Sequence, residues 1–147
     1  MANPIPVHDE SFYHDGRGPE LQRVVWSHKG AILSGFEYFN PDDAYTPENL
    51  KHLKLEYVEA YAMAGEEVHG RIFANGKTRA SIFRVDKSAW KDTFQQRHLT
   101  DCHHFQIMFY DEIFDIICRN ISFGSGRLQP KQKDGEQVGD GDAEEAV

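Results

Sequence analysis

The chain has 147 residues and a formal net charge of −8, with 39% hydrophobic and 12% aromatic residues. That length accommodates one domain of ordinary size, and no apolar run approaches the roughly 20 residues of a membrane-spanning helix. An acidic chain repels phosphate backbones, which disfavours nucleic acid as a partner, and two cysteines are too few for a disulfide framework. The first residues lack a basic start and an apolar stretch, so no secretory signal is read there and a reduced, cytoplasmic setting is expected.

Residues 1–19 contain Pro4, Pro6 and Pro19 and the run Asp15-Gly16-Arg17-Gly18-Pro19. They read as an irregular leader, draped on the body through Phe12 and Tyr13. The body, residues 20–124, shows a recurring period of two. Glu20–His28 is expected to be a strand, Lys29-Gly30 a tight turn, and Ala31–Phe39 the returning strand, with Ile32, Ser34, Phe36 and Tyr38 on one face. Asn40-Pro41-Asp42-Asp43 gathers turn formers and ends it.

Thr46-Pro47-Glu48 has the composition of a helix start. One helical turn over Pro47–His52 and then a strand over Leu53–Met63 is the favoured reading. A single helix carrying Leu50, Leu53, Tyr57 and Tyr61 on one stripe competes with it. Val68–Ala74 and Thr78–Val85 flank Asn75-Gly76, whose residues adopt positive φ readily, so a type I′ hairpin is expected. Ser88–Gln96 reads as a short helix, with Ser88 as N-cap and Trp90 and Phe94 four residues apart. His104–Tyr110, a turn at Asp111-Glu112 and Ile113–Phe123 form the last pair, apolar on both faces as central strands are.

From residue 125 onward there are six acidic and three basic residues and little that is apolar. Such composition cannot bury enough surface to offset its ordering entropy, so 125–147 is expected to be a disordered acidic tail. The fold class expected is mainly β: a small antiparallel β-sandwich or half-open barrel of about seven strands with one or two short helices.

Three groups could carry chemistry. Cys102, His103 and His104 are consecutive candidate metal ligands, and thiolate with imidazole suits zinc. Neighbours on a strand point to opposite faces, however, so a site would need help from His69, His98 or Cys118. Cys102 beside two histidines also raises the possibility of an activated thiol, although adjacency in sequence is not the geometry of a catalytic pair. Asp115 interrupts an apolar strand; facing inward it would need Arg119, Arg84 or a histidine as partner, and with His69 it would mark a ligand site. Lys77, Arg79, Arg84 and Lys87 around Phe83 form a basic hairpin, read as a solvated face, and no glycine run has the context of a phosphate loop.

With no catalytic motif, many aromatics on strands and a small acidic body, the expectation is a non-enzymatic interaction protein that binds a protein partner or forms a homodimer through a sheet face. The competing expectation is a ligand-binding or metal-assisted enzyme with its site in the barrel mouth near Cys102, His103 and His104.

Overall fold

A computed structural model describes residues 3–7, 9–12, 18–27, 32–65 and 80–129. Among these, alternating apolar residues produce nine strands: β1 (Asn3–Pro6), β2 (Glu20–Trp26), β3 (Leu33–Phe39), β4 (Lys51–Glu56), β5 (Ala60–Gly65), β6 (Ile82–Asp86), β7 (His103–Met108), β8 (Glu112–Cys118) and β9 (Asn120–Ser125). They make two antiparallel sheets, a five-stranded one in the order β1-β6-β7-β8-β5 and a four-stranded one in the order β2-β3-β4-β9. The architecture is thus the mainly β, open two-sheet form that the periodicity indicated.

Two long expected strands each become two. Leu53–Met63 bends at Tyr57, whose φ is 59°, an uncommon backbone region for a bulky side chain. It feeds β4 into one sheet and β5 into the other. Ile113–Phe123 bends at Arg119, feeding β8 into one sheet and β9 into the other. The hydrogen-bond ladder follows both bends, since the Arg119 amide donates to Glu56 O (2.9 Å) and the Glu59 amide to Ile117 O (2.8 Å). Arg119 also lies over the Tyr57 ring, 4.6 Å from its centroid, a contact that favours both bends. Strands that switch sheets at such a corner let two sheets close over one core.

That core is aromatic. Phe36, Tyr38, Phe105, Phe109 and Phe114 meet Leu33, Leu53, Leu55, Ile82, Ile107 and Ile116 between the sheets. Phe12 joins them at 6% exposure, edge-on to Tyr38 (4.8 Å) and Phe109 (5.4 Å). Of the two residues expected to anchor the leader, Phe12 does so and Tyr13 lies outside the described residues, and residues 3–6 pair with β6 as β1 instead of remaining irregular. Pro47–Asn49 is a single 3-10 turn, and β4 follows as a strand, which settles the helix-or-strand alternative there. Of the Asn75-Gly76 hairpin only the end of the second arm, β6, falls within the described residues.

After β9 the chain turns back over the outer face of the four-stranded sheet. The Gly126 amide donates to Leu50 O (2.6 Å), and Leu128 is buried at 5% exposure. Its amide donates to Glu37 Oε2 (2.8 Å). Glu37 also receives both Nε (2.9 Å) and Nη2 (2.8 Å) of Arg23. The ordered body therefore extends past the boundary expected at Gly124, because Leu128 fills space above Gly35. The rest of the expected tail, 130–147, lies outside the described residues.

Candidate functional site

The outer face of the five-stranded sheet brings together two of the residues that the sequence singled out, His104 and Asp115. On β7, His104 and Gln106 point outward between the core residues Phe105 and Ile107; on β8, Asp115 lies opposite Gln106. His104 bonds Asp115 Oδ1 through Nε2 at 2.8 Å and Ser88 Oγ through Nδ1 at 2.7 Å. A carboxylate accepts only, so Nε2 carries a proton toward Asp115, while Nδ1 and the Ser88 hydroxyl share the other hydrogen bond. Ser88 Oγ in turn accepts from the Lys91 amide (3.1 Å) as N-cap of α1 (Ala89–Asp92). Gln106 Nε2 donates to Asp115 Oδ1 at 3.3 Å. Trp90 of α1 stands edge-on to the imidazole, 5.0 Å between centroids.

This is a serine–histidine–aspartate relay with its nitrogens exchanged relative to the catalytic triad, where serine contacts Nε2 and aspartate contacts Nδ1. Ser88 and His104 are only 5% and 7% exposed. A substrate carbonyl would reach Ser88 Oγ only if α1 moved, and that hydroxyl already caps the helix. The relay links α1 to the sheet through Ser88. Gln106 Oε1 is the one buried side-chain polar atom among the described residues with no hydrogen-bond partner. Exchanging the two ends of that amide would set an oxygen against the Asp115 carboxylate, so the orientation is fixed by charge.

The three consecutive candidate ligands do not meet. Cys102 is buried with Leu99 and Ile117, and burial, with Glu59 nearby, pushes its thiol up, away from the reactive thiolate. His103 is exposed on the opposite face, its ring 5.9 Å from that of Phe105. His104 alone enters the relay. Cys118 is fully buried in the main core, and burial pushes it up to about 12. No group of three His, Cys, Asp or Glu side chains among the described residues could hold a metal ion. His69 lies outside the described residues.

A different surface went unnoticed in the sequence. Among the described residues, the exposed large hydrophobics are Trp26, Ile32, Tyr45, Tyr57, Tyr61, Met63, Phe94 and Tyr110. Five of these eight fall in two groups, Trp26 with Tyr61 and Met63, and Ile32 with Tyr57. Trp26, at the end of β2, crosses to Tyr61 on β5 with ring centroids 5.7 Å apart. Met63 follows two residues along on the same face. Ile32, whose carbonyl accepts from the amide of Ser27 next to Trp26 (2.6 Å), shares with Tyr57 a groove of about 310 Å³. Leu33, Leu55 and Leu128 also line that groove, with Lys54 and Glu56, 3.7 Å apart, at its polar side. Period-two reading places Tyr61 and Met63 on one strand face but cannot show that this face overhangs the core. No helix among the described residues is long and apolar enough to cross a membrane. No family model matches the chain, and no curated protein or solved structure matches it.

Proposed function

We propose that this chain is a non-enzymatic interaction protein whose binding surface is formed by Trp26, Ile32, Tyr57, Tyr61 and Met63. The observation that carries this reading is the concentration of exposed large apolar residues there. Scattered single apolar residues are ordinary on a surface, whereas contiguous ones mark contact sites, and aromatic and methionine side chains are enriched at interface centres. A photo-crosslinking amino acid at Met63 tests it in cells. A discrete covalent adduct is expected from Met63, and none from the same probe at Tyr45, which is stacked on Phe39 and belongs to neither group. No adduct from Met63 would end the reading.

A second reading rests on Gln106. Its carbonyl oxygen is buried without a donor beside His104 and Asp115, and a small ligand bearing an N–H or O–H admitted beneath α1 would satisfy it. Native mass spectrometry of untreated protein separates the two. A bound small molecule lost on Gln106→Leu would favour the ligand site, and a mass equal to the bare chain would remove it.

A further inference from the structure

We infer that the partner at this surface is a second copy of the chain, joined edge to edge through β5 about a two-fold axis; the inference rests on the interaction reading above. The sheets present four terminal strands among the described residues, and three are poor templates for pairing. β1 contains Pro4 and Pro6, each lacking a donor. β2 carries Glu20 and Arg23 and is irregular in register between Leu21 and Arg23 and between Val25 and Trp26, features that natural edges use against association. β9 exposes only Asn120, Ser122 and Ser125, so pairing there would bury no large side chain.

β5 differs on each count. Its sequence, Ala60-Tyr61-Ala62-Met63-Ala64-Gly65, contains no charge and no proline, and Tyr61 and Met63 are 48% and 58% exposed. Two molecules of net charge −8 repel least where they meet along an uncharged strand. Antiparallel pairing of identical strands also generates a closed two-fold interface without further geometry.

Side-chain alternation restricts the register. A two-fold axis normal to the sheet keeps each face on its own side, so residues opposite one another must point the same way. Centred on Ala62, the pairing sets Tyr61 against the partner's Met63 twice and Ala62 against the partner's Ala62. Sulfur against aromatic ring is a favourable contact. A six-residue ladder alone buries less than the roughly 800 Å² per partner of a stable complex, so Trp26, packed on Tyr61, must belong to the interface. The expected result is a monomer–dimer equilibrium at about micromolar concentrations.

Sedimentation of the full chain over about 1–100 μM, the range in which a micromolar constant is read, is the first test. Wild type is expected to shift from monomer to dimer, and Met63→Lys to remain monomeric with an unchanged circular dichroism melt. Ala62→Cys is expected to form a disulfide-linked dimer on mild oxidation, because opposed Cα atoms of an antiparallel pair lie about 4.5–5.5 Å apart, within the span a disulfide bridges; wild type is not, since Cys102 and Cys118 are buried. If Met63→Lys unfolds, the Ala62→Cys result decides alone. A wild-type monomer throughout, or a dimer untouched by Met63→Lys and not captured by Ala62→Cys, overturns the inference. The Met63 photo-crosslink distinguishes the two failures. An adduct to another protein without a chain–chain adduct defeats the homodimer and leaves the interaction reading standing, and no adduct defeats both.

Discussion

Glu37 and His104 show how single side chains secure peripheral segments. Burial alone would push the Glu37 carboxyl up, but the two bonds from Arg23, the Leu128 amide and the nearby Arg127 charge outweigh it and hold Glu37 below the ordinary carboxylate range. Its folded-state value lies below the unfolded value of about 4.5, so its contribution is complete above pH 4.5 and lost as pH falls through the folded value. Glu37→Gln should destabilise the fold at pH 7 by about 1–3 kcal/mol in urea titrations. It should also flatten the acid limb of stability against pH; an unchanged limb would show that Glu37 does not hold the returning chain. The relay makes a parallel case. His104→Leu removes the bonds to Ser88 and Asp115 and should cost about 1–3 kcal/mol, against about 1 kcal/mol for Ser88→Ala, which removes the helix cap. A catalytic role would separate from these values: retained fold with abolished reaction at Ser88 toward an acylating probe.

At the scale of elements, the two bent strands and the returning segment decide the shape. Gly35 sits where the chain passes closest. A Cβ there would stand 2.2 Å from Leu53 O and 2.5 Å from a Leu128 methyl carbon. Gly35→Ala must therefore displace both β4 and Leu128, and we expect a loss of about 1–3 kcal/mol with a lowered denaturation midpoint. Leu128→Ala opens the same contact from the other side and should cost about 2–3 kcal/mol. Because the two residues touch, the double variant should lose less than the sum of the singles; strict additivity would show that Leu128 does not rest on Gly35. Together with Glu37, this contact explains why the body continues through Leu128.

For the whole molecule, the shared corner strands imply cooperative unfolding, since neither sheet can lose its strands without the other losing the same chain segments. The two tryptophans report on different parts, Trp26 on the end of the four-stranded sheet and Trp90 on α1 above the five-stranded one. In Trp90→Phe and Trp26→Phe, the remaining tryptophan's fluorescence should change at the same urea concentration as that variant's circular dichroism; separated transitions would show the sheets to be independent. Strand periodicity and the Ser88 cap are local matters of side-chain alternation and backbone preference, and they were legible from residues alone. The turn expected at Asp111-Glu112 falls one residue earlier, over Tyr110-Asp111, because Glu112 already pairs as the first residue of β8. Legible too was the need of Asp115 for a partner, because a carboxylate in an apolar strand requires one. That His104 is a partner depends on the register of β7 against β8, which pairs Gln106 with Asp115. Likewise, Leu53–Met63 and Ile113–Phe123 keep their alternation through the bends, so periodicity cannot reveal that each serves two sheets. The exposure of Trp26, Tyr61 and Met63 was equally hidden. The sequence by itself determined which residues alternate and which are apolar; only the tertiary structure decided which apolar faces are covered, because burial depends on what other segments pack there.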